Sequence, residues 1–200
     1  MRKAGLLVAF PTLHRTEFQW DACEDYLFAS EIAWRQVAEQ HNESLDGIFC
    51  DPFLADQFDE IARRWAPNHG KLAYRWAAMK LRKSAKSVRA RAELLGNARF
   101  RAKLSLDEEG LHRLPMQSGV YVVGAPGKSP LYAGQTNNLR QRIESQFGAN
   151  TREEWQRFAK TLDAKYFLTS CTCTDRLAYQ WRLVEKLQPP LNRPDYKVFA

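Results

Sequence analysis

The densest group of residues able to bind a polyanion is a basic run between Lys80 and Lys103. It contains nine lysines and arginines and a single acid, Glu93. Each phosphate that such cations neutralise releases counterions, so the run favours a nucleic acid as partner, bound with steep salt dependence. The alternative is an exposed helix face whose cations pair with acids of the first half. The residues of this run that we expect to contact substrate are Lys83, Lys86, Arg89 and Arg91.

A single polar residue interrupts the apolar stripe of the last predicted helix. Leu177, Val184 and Leu187 share one face, and Gln180 lies on it, three residues after Leu177 and four before Val184. A polar residue on such a stripe either finds a hydrogen-bond partner in the core or belongs to a site. Both interpretations stay open from the helical pattern alone.

Two strand-like tripeptides precede that helix, Gly119-Val-Tyr121 and Tyr132-Ala-Gly134. The segment after the second leads through Gln135 to Arg142, and Pro189-Pro-Leu-Asn192 follows the last helix. In this order and at these distances the motifs resemble the GIY-YIG nuclease family over about residues 117–193. The resemblance implies phosphodiester hydrolysis with Mg²⁺ or Mn²⁺. The alternative is that both tyrosines pack in a sheet and Arg142 is a surface cation.

The resemblance also implies a role for each matched residue. Tyr121 would position or deprotonate the attacking water, and Tyr132 would bind phosphate or assist Tyr121. Arg142 would stabilise the negative charge that develops on the phosphoryl oxygens, and Asn192 would brace the site. The neighbouring residues expected to contact the substrate are Gln135, Thr136 and Arg140.

The chain departs from the family pattern at two positions. Gln146 stands where many members have histidine, but the excision-repair nucleases also lack that histidine. Gln180 stands where the family has its metal-binding glutamate, and a carboxamide is a poor ligand for a hard divalent cation. Losing the metal would slow cleavage on the order of a thousandfold or more.

Three explanations for Gln180 remain open from the sequence. It is an engineered near-isostere, a natural loss that leaves a binding module, or part of a modified site with other ligands. We expect Gln180→Glu to restore or raise metal-dependent cleavage of DNA if position 180 is a metal ligand.

The elements that must position these residues fall into two groups, which predict an α+β fold. Residues 1–104 are predicted to be mainly helical, with helices over 21–40, from Asp51-Pro52 to Trp65, and from about Leu72 into the nineties. The opening MRKAGLLVAF is predicted to be a buried strand, and residues 105–116 a linker.

Residues 117–200 are predicted to form a small, mostly antiparallel sheet of three strands with flanking helices. A hairpin of strands at 119–124 and 131–134 is followed by a helix carrying Leu139, Ile143 and Phe147. A helix over 152–162 and a strand over 165–170 come next. The last helix, over 175–188, is expected to be capped by Thr174 or Asp175.

Charge and composition bound the class of protein. Residues 1–64 hold 12 acids against 6 bases, whereas residues 65–200 hold 24 bases against 11 acids, which favours a polyanionic partner. No apolar run is long enough to span a bilayer and no leader cleavage site follows the basic start, so we expect a cytoplasmic protein with reduced cysteines. Cys171 and Cys173 lack the further ligand spacing of a zinc site.

The leading hypothesis is a metal-dependent DNA endonuclease of restriction, repair or defence, impaired in this form by Gln180. DNA is the expected substrate, with RNA still open. One alternative is a catalytically inactive nucleic-acid-binding protein on the same fold. Another is an adaptor whose acidic helices in residues 1–65 bind a protein partner.

Overall fold

A computed structural model of the chain describes residues 23–96, 99–100, 102–147, 152–169 and 172–192. The architecture is α+β, as predicted: a mostly helical first part is followed by an antiparallel sheet with flanking helices. The strand predicted for the first ten residues lies outside the described residues. None of the helices in the described ranges combines the length and the apolar character needed to cross a membrane.

Residues 23–96 contain four helices, α1 (Glu24–His41), α2 (Leu45–Cys50), α3 (Pro52–Trp65) and α4 (Lys71–Leu94). Asp51 caps α3 by accepting hydrogen bonds from the backbone N–H groups of Phe53 and Leu54, with Pro52 in the first turn, as the Asp-Pro pair predicts. Helix α2 was not predicted because its six residues are too few to show a helical period.

The sheet has four strands in the order β1-β4-β2-β3, all neighbouring pairs being antiparallel. They are β1 (Ala102–Ser105), β2 (Gly119–Gly124), β3 (Pro130–Thr136) and β4 (Asp163–Leu168). Strands β2 and β3 form the predicted hairpin, and β4 begins two residues earlier than predicted. The additional strand, β1, pairs with β4 at the sheet edge. Its four residues overlap the end of the basic run and are too few to show an alternating pattern.

Four helices accompany the sheet: α5 (Glu108–Arg113), α6 (Leu139–Phe147), α7 (Arg152–Gln156) and α8 (Cys173–Leu187). Helix α5 lies within the segment predicted to be a linker. The N-cap of α8 is Thr172, whose side chain accepts from the backbone N–H of Asp175. The expected caps, Thr174 and Asp175, therefore lie inside the first turn of α8.

The helical part and the sheet share one hydrophobic core. Trp34 and Tyr74 from the helices belong to the same buried cluster as Tyr121 and Tyr132 from the sheet. Trp65 of α3 meets Trp155 of α7 in a T-shaped contact with ring centroids 4.9 Å apart. Because of this packing, helix α1 lies against the residues that the motifs single out.

Candidate functional site

The β2–β3 hairpin places Tyr121 and Tyr132 in the core, with ring centroids 6.3 Å apart. Tyr121 lies opposite Gly134 in the ladder. A Cβ atom at position 134 would stand 2.5 Å from the Oη of Tyr121, so any larger residue there would collide with the phenol. The glycine of the second tripeptide thus makes room for the tyrosine of the first.

Tyr121 is fully buried and its hydroxyl is already engaged. The Oη donates a hydrogen bond to the Oε1 of Gln146, on α6, over 2.5 Å. Burial raises the pKa of Tyr121, and the nearby positive charge of Arg142 only partly opposes this. The phenol is therefore a neutral donor in this geometry, and Gln146 is its acceptor.

Tyr132 and Gln180 converge on a carboxylate from the first helix. The Oη of Tyr132 and the Nε2 of Gln180 each donate to the Oε2 of Glu31 over 3.0 Å. Gln180 also donates to the carbonyl oxygen of Ala133 over 3.1 Å. Enclosure of the Glu31 carboxylate raises its pKa, while Arg35 and the hydrogen bonds from these side chains act in the opposite direction.

Asn192 is bound to the backbone of β3. Its Nδ2 donates to the Ala133 carbonyl over 2.6 Å, and its Oδ1 accepts from the Ala133 N–H over 3.2 Å. Asn192 is fully buried, and its side chain acts to lower the pKa of Glu31. Four side chains from α1, β3, α8 and the segment after α8 thus form one hydrogen-bonded group.

Arg142 of α6 is held by a second carboxylate of helix α1. Its Nη2 lies 2.5 Å from the Oε2 of Glu24, and the hydroxyl of Thr136 donates to the same oxygen over 3.1 Å. Both charged side chains are almost wholly enclosed. Burial acts to lower the pKa of Arg142, but Glu24 together with Tyr121 and Tyr132 outweighs this effect, so the pKa of Arg142 is raised. A charge that would hold a phosphate is thus neutralised internally.

The other two residues expected beside the motif make internal contacts of their own. Gln135 accepts from the Nε of Arg176 over 3.0 Å, and its Nε2 has no hydrogen-bond partner among the described residues. Arg140 donates to the carbonyl of Leu114 over 2.7 Å. Among the described residues, neither Gln135 nor Arg140 is hydrogen-bonded directly to Tyr132, Glu31 or Gln180.

The four expected contacts on α4 divide into two kinds. Lys83 and Lys86 are exposed. Arg89 lies over the ring of Trp181, with its Cζ 5.0 Å from the centroid, and Arg91 forms an ion pair with Asp175. On the inner face of α4, Leu81, Ser84 and Val88 line a cavity of about 50 Å³ together with Glu31 and Gln180.

The residues present do not fit the divalent metal that the resemblance implies. Gln180 turns its N–H donors toward Glu31 and the Ala133 carbonyl, whereas a metal ligand must present lone pairs. Glu31 is the single carboxylate in this hydrogen-bonded group. Within the described ranges, no three or more His, Cys, Asp and Glu residues are grouped so that they could hold a metal ion.

The cysteines described are structural or solvent-facing thiols. Among the described residues, Cys23, Cys50 and Cys173 form no disulfide, and Cys171 lies outside those residues. Burial raises the pKa of Cys23 to about 12, which keeps this thiol protonated and unreactive.

The sequence interpretation missed Glu24 and Glu31, the two residues that close the site. A usable signal existed for Glu31, which lies four residues after Leu27 and three before Trp34, on the apolar stripe of α1. A carboxylate on such a stripe needs a partner, as does Gln180 on the stripe of α8. These two polar residues, Glu31 and Gln180, are hydrogen-bonded to each other.

No protein-family model matches the chain. The likeness to the GIY-YIG nucleases therefore rests on the motifs, and the activity that it implies belongs to the proposals below.

Proposed function

We propose that this chain is a nucleic-acid-binding protein built on a nuclease-like fold, whose hydrolytic site is closed by helix α1. The observation that carries the proposal is that two carboxylates of one helix engage the groups that would act on a phosphodiester. Glu24 neutralises Arg142, and Glu31 accepts hydrogen bonds from Tyr132 and Gln180.

The chemistry of these contacts opposes hydrolysis. A phosphodiester is attacked only when its charge is stabilised and a water molecule is deprotonated. Arg142 already faces an anion, and the raised pKa of Tyr121 keeps that phenol protonated, so it cannot accept a proton from water. Substrate would have to displace both carboxylates and enter a space that side chains now fill.

Binding of nucleic acid is supported by the charge distribution. The chain carries a net charge of +7, and bases outnumber acids after residue 64. Helix α4 contains a single acid, Glu93, and presents Lys83 and Lys86 to solvent. The acidic first half uses several carboxylates internally, including Asp59 with Arg75 and Asp46 with Arg82. Acidic residues therefore offset part of the basic run, but not these two lysines.

The test combines binding and cleavage in one set of samples. Fluorescein-labelled single-stranded and duplex DNA and RNA are titrated with the full chain at about 50 and 200 mM salt, where phosphate contacts lose affinity steeply. The same substrates and a supercoiled plasmid are then incubated with Mg²⁺ or Mn²⁺. We expect salt-dependent binding without cleavage. Cleavage that Arg142→Met abolishes would overturn the proposal, as would the absence of any binding.

A second candidate is the metal-dependent DNA endonuclease of restriction, repair or defence. It is favoured by the convergence of Tyr121, Tyr132, Arg142 and Asn192 from separate segments on one buried region. It requires helix α1 to leave the site. Glu24→Gln weakens the hold of α1 on Arg142, and Gln180→Glu supplies beside Glu31 the metal-binding carboxylate that this candidate requires. This double variant should therefore cleave DNA with Mg²⁺ if α1 is the obstacle. A double variant that folds, binds DNA and does not cut would remove this candidate.

A further inference from the structure

Helix α4 has an inner face in the core and an outer face of different chemistry. The inner face buries Tyr74, Ala77, Ala78, Val88 and Ala92. The outer face is defined by residues spaced alternately four and three apart, which places them on one side of the helix. Its members are Leu72, Trp76, Met79, Lys83 and Lys86.

The first half of the outer face exposes a large apolar surface. Leu72 is 70% exposed and Trp76 is 51% exposed, two of the six large hydrophobic residues that are exposed in the described ranges. Beside them is an open cavity of about 360 Å³, lined also by Arg75, Met79 and Lys80. An accessible indole beside a cavity of this kind suits a flat ring that stacks on it.

The second half of the outer face is cationic. Among the described residues neither Lys83 nor Lys86 forms an ion pair, whereas Arg75, Arg82 and Arg91 of the same helix each pair with a carboxylate. From Trp76 to Lys86 the helix rises about 15 Å, at ~1.5 Å per residue. An aromatic platform is thus followed along one line by two unneutralised ammonium groups.

We propose that the outer face of α4 binds single-stranded nucleic acid, with an unpaired base stacked on Trp76 and phosphates contacting Lys83 and Lys86. This inference rests on the proposed function and assigns it a surface and a substrate class. Stacking platforms next to basic residues recognise single strands, because an unpaired base offers its ring face. A duplex keeps those ring faces inside its own stack and cannot offer them to the exposed indole of Trp76.

The experiment measures anisotropy of a labelled oligothymidine and of a matched duplex with the full chain. Trp76→Ala should weaken single-strand binding roughly tenfold or more, the effect of losing one stacked base. Lys83→Gln with Lys86→Gln should reduce the slope of log affinity against log salt by about 1.4, which corresponds to two phosphates of a single strand.

Matched controls separate this surface from general charge and exposure. Phe53→Ala removes an aromatic that is 73% exposed on α3, and Lys128→Gln with Lys160→Gln removes two exposed charges outside α4. Phe53→Ala should weaken single-strand binding less than Trp76→Ala does. The Lys128→Gln, Lys160→Gln variant should change the salt slope less than the Lys83→Gln, Lys86→Gln variant does. Equal effects in target and control variants, or tighter binding of duplex than of single strand, would overturn the inference.

The outcomes also distinguish this inference from the function on which it rests. Salt-dependent binding that all the α4 variants retain would leave the proposed function intact and assign it to another surface. No binding by the unmodified chain would reject both. A last measurement adds an acidic peptide as competitor of the oligonucleotide. If this competition depends on Lys83 and Lys86 while Trp76→Ala leaves the affinity for single strands unchanged, charge attraction alone explains the binding and the stacking site is rejected.

Discussion

Arg142 and Lys83 are both cations able to contact a phosphate, yet their surroundings differ completely. Arg142 is enclosed beside Glu24 and Thr136, so its donors are used within the fold. Lys83 projects from α4 without an ion pair among the described residues. The contrast teaches that residue type and motif position do not establish a binding role. Whether a nearby carboxylate already satisfies the charge matters as much.

The strongest way to challenge this contrast is to remove the buried cation. We expect Arg142→Met to lower the free energy of unfolding by about 3–5 kcal/mol, because it leaves Glu24 buried without its counter-ion. Lys83→Met on the outer face should cost less than about 0.5 kcal/mol. Urea denaturation measures both. Similar values for the two variants would contradict the distinction between a structural and a free cation.

The second variant addresses the Glu31–Gln180 hydrogen bond. Gln180→Glu would place two carboxylates side by side where an amide now donates to Glu31. We therefore expect a loss of about 2–3 kcal/mol of stability at neutral pH, since one carboxylate must stay protonated. This expectation replaces the restored cleavage that the sequence alone suggested.

A double-mutant cycle isolates that effect. In the Glu31→Gln background, Gln180→Glu should cost much less, because one carboxylate again faces one amide. Equal costs in both backgrounds would show that the two side chains do not interact. Restored cleavage by Gln180→Glu would instead return position 180 to the metal.

The pH dependence of stability sharpens the description of Glu31. Its pKa is raised in the folded protein above the ordinary value of 4.5, so the folded state binds the proton more tightly than the unfolded state. The stability that this proton contributes is complete below pH 4.5 and is lost as pH rises through the raised pKa. Glu31→Gln removes this dependence while its amide oxygen still accepts from Tyr132 and Gln180.

We accordingly expect the stability of Glu31→Gln relative to the parent chain to increase with pH in that window, by at most about 1.4 kcal/mol per pH unit. Thermal or urea unfolding of both proteins from pH 4 to pH 8 provides the comparison. A relative stability that falls with rising pH would mean that hydrogen bonding, rather than enclosure, dominates the pKa of Glu31.

The smallest expected effect belongs to the outer face of α4. Lys83→Gln with Lys86→Gln should change the free energy of unfolding by less than about 0.5 kcal/mol, since surface substitutions without partners rarely do more. The same variant is expected to lose affinity for single strands. A large loss of stability would show that these lysines hold the fold together and would weaken their use as a binding surface.

Local patterns predicted much of the fold. The Asp51-Pro52 cap, the long α4 and the β2–β3 hairpin all followed from caps and periodicity, which act over a few residues. The same approach missed α2 and β1, which are too short to show a period. It also misplaced the cap of α8, because three nearby residues are all good N-caps.

The site was predictable only in part, because local motifs indicate some of its residues and tertiary packing brings in the others. Motif spacing singled out Tyr132 and Gln180, which both contact one carboxylate in the structure. The carboxylate itself, Glu31, lies 101 residues before Tyr132, and no local pattern links such distant positions. Tertiary packing decides that contact, so the closure of the site could be recognised only from the fold.

The contacts of Asn192 with both backbone groups of Ala133 have a consequence for how copies of this protein meet. Among the described residues, strand β3 lies at one edge of the sheet, and an edge strand offers its free backbone groups to other strands. Asn192 engages the N–H and carbonyl of Ala133, and the backbone N–H of Leu191 donates to the carbonyl of Leu131. Leu191 and Asn192 thus occupy part of the place that a further strand would take, and we expect them to hinder edge-to-edge pairing between copies of the protein.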